Sequence, residues 1–360
     1  MSEFKPGLEG VVAFETEIAE PDRDGGALRY RGVDIEDLVG RVPFEEVWGL
    51  LVDDVPKPGL EPAQRYIATG LTGDAPADLQ AVTAHLSGEW GLGKLIDISD
   101  EEARDDLARL SATMISVVAQ SARLADGETT AVDPELVASG ATAATRFLLE
   151  WRGEADPKHV KAIDTYWICT AEHGLNASTF AARVVASTGA DCAAALSSAV
   201  GALSGPLHGG APARVLPMLD GAAAADSIED YVKDLLDSGG RLMGFGHRVY
   251  RAEDPRSRLL RGTAMDLGSP RFDVAEELER AALAELHRRK PDRVLATNVE
   301  FWSAVVLDVA AVPPSLAPAM FACSRTAGWS AHVLEQKRLG RLVRPSAVYV
   351  GPGPRSLGSS

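Results

Sequence analysis

Cysteine is scarce in this sequence: Cys169, Cys192 and Cys323 are all it has in 360 residues, an odd number at wide and unrelated spacings. That argues against a disulfide framework and against a cysteine metal cluster. Positive charge is also in short supply, with 36 lysines and arginines against 52 aspartates and glutamates for a formal charge of −16. Nucleic acid and an anionic membrane surface are therefore poor candidates for the main partner. Long apolar runs are missing as well. The most apolar late stretch, Val309 to Cys323, is interrupted by Pro313, Pro314 and Pro318 and preceded by Asp308, so it does not read as a membrane span. The opening Met1-Ser2-Glu3-Phe4-Lys5-Pro6 is too polar for a secretory leader, which makes the cytoplasm the expected compartment. Phosphate-loop and serine-elbow motifs are absent, and Gly244-Phe245-Gly246 lacks the third glycine of a dinucleotide fingerprint.

Helical patterning is what the chain has in abundance. Val11 to Ile18, the turn-forming Asp22-Arg23-Asp24-Gly25-Gly26, and Leu28 to Arg31 read as one short β-hairpin. From there on helices dominate. Asp34 caps a helix carrying Ile35 and Leu38, and Pro43 leads another. Leu107, Leu110, Met114, Val117 and Val118 fall on one face of a helix over 101–125. The stretch 179–203 is a helical zone of small residues suited to close packing in the interior or between subunits. Asp226-Ser227-Ile228-Glu229 opens a helix with an acidic capping pattern that Gly239-Gly240 stops, and Asp273 is expected to cap 274–290, whose last turn is basic. The fold is expected to be mainly α-helical.

Three of the seven histidines stand beside glycine, where the backbone can approach a ligand closely. They are His173 in Glu172-His173-Gly174-Leu175-Asn176, His208 in Ser204-Gly205-Pro206-Leu207-His208-Gly209-Gly210, and His247 in the arginine-rich run from Gly244 to Arg256. Metal-ligand spacing is absent, and arginines nearby would set cations beside a cation. Arginine forks with histidines fit another task. The forks pair with the carboxylates of a small polycarboxylate, while an imidazole donates to a carbonyl oxygen that gains charge during reaction. A carboxylate base is still needed, and Glu300 in Thr297-Asn298-Val299-Glu300-Phe301-Trp302 sits in a mostly uncharged setting. His85, His159, His287 and His332 read as surface or core residues.

Gly7-Leu8-Glu9-Gly10-Val11-Val12, Tyr30-Arg31-Gly32 with Ile35-Glu36-Asp37-Leu38, Gly205 to Ala211, and Gly244 to Arg256 occur in an order that resembles the citrate synthase family from about Gly7 to Gly353. The compact chain is similar to the short bacterial type. The resemblance implies a two-domain citrate synthase fold. Residues 1–210, completed by 313–360, would form a large helical domain, and 211–312 a small domain that closes over the substrates. It implies condensation of acetyl-CoA with oxaloacetate and hydrolysis of citryl-CoA, with no metal and no bound cofactor. By the same resemblance His208 would donate to the thioester oxygen, His247 would polarise the ketone, and Glu300 would be the base. His173, Arg256 and Arg325 would hold oxaloacetate, Arg251 would meet CoA, and Arg344 would cross to the partner's site in a homodimer. The family has aspartate in the Asn298-Val299-Glu300 context, so the base here stands one methylene further out. A 2-methylcitrate synthase using propionyl-CoA would carry the same motifs. A non-catalytic regulatory protein binding CoA or a dicarboxylate is the reading that the glutamate alone motivates.

Overall fold

The structure is a computed structural model that describes residues 4–8, 10–22, 26–60, 66–209, 214–246, 253–292 and 295–355. Three short antiparallel strands, β1 (Ala19–Pro21), β2 (Leu28–Tyr30) and β3 (Val33–Asp34), lie in the order β1-β2-β3. The expected hairpin is present, but its first strand is shifted. Val11 to Thr16 run without strand partners among the described residues, and pairing begins only where Ala19 faces Tyr30. Side-chain chemistry sets this register: Glu20 pairs with Arg29 at 3.0 Å, and Ile18, Leu28 and Tyr30 are fully buried. The Tyr30 hydroxyl donates to the Ile168 carbonyl at 2.9 Å and ties the sheet to the helical body.

The remaining elements are helices whose starts follow local capping chemistry. Asp34 caps α1 (Ile35–Leu38), and Pro43 precedes α2 (Phe44–Asp53). After α3 (Ala75–Glu89), α4 (Asp100–Ala125) opens on a complete capping box between Ser99 and Glu102. The short α5 (Pro134–Ala138) and α6 (Ala143–Arg152) lead to α7 (Pro157–Thr170). The small-residue zone becomes two helices, α8 (Ala177–Ser187) and α9 (Cys192–Leu203). Gly189, at φ +79, turns the chain between them, and Asp191 caps the second. The three cysteines are buried and unbridged.

α10 (Val215–Ala223), α11 (Ile228–Asp237), α12 (Pro255–Asp266), α13 (Phe272–Arg289) and α14 (Val299–Val309) follow. Among these, α12 packs on α14 and α11 on α13, while α12 and α14 also reach α7. Asp273 lies inside the first turn of α13 rather than at its cap, because the helix begins two residues earlier than expected, at Phe272 after Arg271. The last helix, α15 (Ala317–Leu339), runs through the middle of the molecule against α2, α4, α7, α8 and α9. Its alanines, serines, cysteine and glycine let neighbours approach from all sides. Gly328 shows how closely: a Cβ there would stand 2.0 Å from a Glu172 carboxylate oxygen. Beyond Gly340 the chain is extended and largely exposed, with Val348, Tyr349 and Val350 each more than 70 % accessible. Among the described residues no helix is long and apolar enough to cross a membrane.

Candidate active site

Four elements bring most of the singled-out side chains together. His208 lies in the turn after α9, fixed by bonds from His208 N to Gly205 O at 3.0 Å and from Gly209 N to Leu203 O at 2.9 Å. Its Nε2 is 2.9 Å from Ser178 Oγ and 3.2 Å from Asn176 Oδ1, at the start of α8. Ser178 Oγ also accepts from Trp329 Nε1 at 3.2 Å and stands 2.8 Å from Asn176 Oδ1. The Ser178 hydroxyl donates to Asn176 Oδ1, so the arrangement that satisfies all these contacts has the imidazole donating from Nε2 to both oxygens. Burial, reinforced by the Arg325 cation, pushes the His208 pKa down to about 4, so the ring is neutral at pH 7.

Phe321 of α15 joins His208 to Arg325. Its ring meets the imidazole edge-on at 6.2 Å and lies 4.7 Å from the Arg325 guanidinium. Arg325 is 3 % exposed. Its Nε donates to the Thr170 carbonyl at 2.8 Å, at the end of α7, and its Nη1 is buried without a hydrogen-bond partner among the described residues. Arg325 forms no ion pair within 4.0 Å among them, although Glu172 is near enough to support its charge. A buried guanidinium with an idle N–H invites an anion, because leaving a charged donor unpaired is costly.

Arg256, in the first turn of α12, is 2 % exposed and is gripped by Asp254, with Nε on Oδ1 at 3.0 Å and Nη2 on Oδ2 at 2.7 Å. The same aspartate caps α12 and accepts Val299 N at 3.1 Å, so one carboxylate aligns Arg256 with the start of α14. Glu300 is in that first turn. Asn298 caps α14 by accepting Glu300 N at 2.9 Å, and its Nδ2 donates to the Gly246 carbonyl at 3.0 Å. Gly246 N donates to Ala296 O and Asn298 N to Gly244 O, at 2.7 and 2.9 Å, which stitches 244–246 to 296–298. Only glycine fits at 244: φ is +85, and a Cβ would press on Phe301 at 2.6 Å. Burial raises the Glu300 pKa to about 7, against the opposing pull of Arg256 and Asn298.

His173 is partly buried between α7 and α8, next to Glu172, whose negative charge its backbone N–H supports. Arg344 does not join the others within one chain, since it is exposed on the extended segment after α15. His247 and Arg251 lie outside the described residues. Sequence reasoning missed Asn176, Ser178 and Asp254, the groups that orient His208 and Arg256. Asp254 had a readable signal as an aspartate before proline at a helix start. Among the described residues no group of three or more histidines, cysteines, aspartates or glutamates is placed to hold a metal ion.

Residues 7–346 match the family model described as citrate synthase, C-terminal domain. A Mycobacterium tuberculosis protein provisionally named citrate synthase 2 is 62 % identical over 354 residues, covering 98 % of this chain and 94 % of that protein. A citrate synthase of Haloferax volcanii is 38 % identical over 371 residues, covering 97 % and 96 %. Among solved structures, citrate synthase from Thermoplasma acidophilum in a ternary complex with carboxymethyl coenzyme A and oxaloacetate superimposes with a TM-score of 0.86. It is 28 % identical and covers 99 % of this chain and 98 % of that one.

Proposed function

The chain belongs to the citrate synthase family, and from that premise we propose that it is a cytoplasmic enzyme condensing acetyl-CoA with oxaloacetate and hydrolysing citryl-CoA to citrate and CoA. The observation that carries this reading is the buried, unpartnered Nη1 of Arg325 beside a neutral His208. A dicarboxylate supplies the anion that Arg325 lacks, and Arg256 and His173 complete its cradle. Glu300, whose carboxyl titrates near neutrality, takes a methyl proton from the thioester. His208 donates from Nδ1 to the thioester oxygen as the enolate forms, after Ser178 turns its hydroxyl from Asn176 Oδ1 onto Nε2. A neutral imidazole suits the role, because it donates without being a strong acid. His247 polarises the ketone and protonates the alkoxide, and Arg251 meets the CoA phosphates. The chemistry uses protein groups, the two substrates and one water for the hydrolysis, with no metal or bound cofactor.

The region 211–312 serves as a small domain that closes on the body formed by 1–210 and 313–360, excluding water while the enolate exists. The enzyme works as a homodimer in which the extended segment delivers Arg344 to the partner's site. Mixing Arg344→Ala with His247→Ala chains then creates heterodimers with one intact site, and exchange to equilibrium restores about a quarter of wild-type activity. No recovery after verified subunit exchange would contradict a shared site. The activity itself is tested by thiol release with oxaloacetate and either acetyl-CoA or propionyl-CoA. Faster release from acetyl-CoA is expected. A strong propionyl-CoA preference would assign 2-methylcitrate formation instead, and no thiol from either would leave a binding protein.

A further inference from the structure

A cavity of 470 Å³ lies on the far face of α4, and none of His173, His208, Arg256, Glu300 or Arg325 lines it. Its volume is typical of small-molecule pockets, which run from about 300 to 1,000 Å³. Ala112, Ser116 and Gln120, spaced four apart, are positions of α4 that escape full burial in an otherwise buried stretch, and all three face the cavity. The walls are mainly apolar, with Leu71, Ile115 and Phe147 on the inside and Val137 of α5 across from them.

At the polar end stands Glu150 of α6. Its Oε1 accepts from Ser116 Oγ at 2.7 Å and from Gln120 Nε2 at 3.0 Å, while its Oε2 accepts no hydrogen bond among the described residues. Burial raises its pKa to about 7 against the opposing pull of those two donors. The cations in the wall are committed elsewhere. Arg123 donates to the Thr130 and Trp151 carbonyls at 2.8 and 3.0 Å and pairs with Glu128 at 3.3 Å, and Arg146 donates to the Gly140 carbonyl at 3.1 Å. What the cavity offers is an apolar enclosure ending in one open carboxyl oxygen. An unused acceptor in such surroundings favours a ligand that brings a donor.

We infer that this cavity is a second small-molecule site, separate from the catalytic groups, that takes a neutral and largely apolar one- or two-ring molecule whose single hydroxyl or N–H donates to Glu150 Oε2. The inference does not depend on the reaction proposed above. Full-length protein is titrated calorimetrically with 2-naphthol and with 2-methoxynaphthalene, which has the same ring system but no donor. At pH 8, where Glu150 is mostly ionised, one 2-naphthol binds per chain, roughly tenfold more tightly than the ether, the advantage expected of a hydrogen bond to a charged acceptor. Glu150→Leu removes that advantage, and Ala112→Phe, which fills the cavity from α4, abolishes binding of both. Val137→Trp fills it from the opposite wall and replaces Ala112→Phe if that variant does not fold. Absence of 2-naphthol binding would overturn the site. Equal affinity for the two probes, or binding that survives a folded cavity-filling variant, would overturn it as well.

Discussion

Two buried polar regions share helix α15 and differ in how their charges are answered. Around His332 and Glu335 lies a neutralised seam. The Arg183 guanidinium pairs with Glu335 and reaches His332 Nδ1 at 2.9 Å and Gln336 Oε1 at 3.1 Å. His332 Nε2 meets Glu172 at 3.3 Å, and the other Glu335 oxygen accepts from Thr16 and from Glu17 N at 3.2 and 3.0 Å. Burial works against the Glu172 charge, yet His332 and Arg325 outweigh it and hold the carboxyl below its usual range. Two turns earlier on α15, around Arg325, the balance is opposite. Burial wins at Glu300 and at His208, and Arg325, unlike Arg183, has no carboxylate within ion-pair distance among the described residues, although each guanidinium keeps one buried nitrogen without a hydrogen bond. Similar burial thus yields structural charges where each has a partner, and titratable or unfilled groups where it has none.

The largest way to break this comparison is Glu300→Gln, which keeps shape and deletes basicity. Turnover should fall by roughly 10² to 10⁴, as for other lost general bases. Oxaloacetate affinity, measured by calorimetry, should barely change. Near wild-type turnover would move the base elsewhere. Next comes Arg183→Leu on the seam side, which leaves Glu335 and His332 without their cation. It should cost about 3 kcal/mol of stability in urea unfolding, the lower end for a broken buried pair because Glu335 keeps some solvent contact. The turnover of the folded fraction should be unchanged. A large turnover loss at full stability would make the seam part of the site. The smallest effect belongs to Ser178→Ala, which releases His208 Nε2. A lost neutral hydrogen bond is worth up to about tenfold. That loss should appear in kcat, with the KM for oxaloacetate unmoved.

The sequence was most legible where structure is local. The cap at Asp34, the helix opening within Asp226 to Glu229, the buried stripe of 101–125 and the stop at Gly239 all depend on residues within a turn or two of each other, and the structure has them where the pattern placed them. Local patterns were weaker on boundaries. The strand expected over 11–18 starts at Ala19, because alternation does not reveal which residues find a partner strand. Within the candidate site, the motifs marked His208, Arg256, Arg325 and Glu300, but not their surroundings. The bond from Ser178 to His208 spans thirty positions, and the clamp of Asp254 on Val299 spans forty-five. His332 read as an ordinary surface or core histidine, and its pairing with Glu172 across 160 positions became visible only in the fold. Arg344 is the opposite case. Its family motif is readable, while a single chain leaves the side chain exposed.

The contrast between the seam and the cleft rests on Glu300 being a base that burial has moved to neutrality. The most direct measurement is the pH dependence of kcat/KM for thiol release, which reports the essential groups of the free enzyme. Protonated Glu300 cannot accept a methyl proton, so kcat/KM should fall about tenfold per pH unit below a midpoint near 7 and level off above it. In Glu300→Gln that acid limb should disappear along with most of the rate. A wild-type profile that is flat from pH 5 to 8, or an identical limb in the glutamine variant, would contradict the assignment.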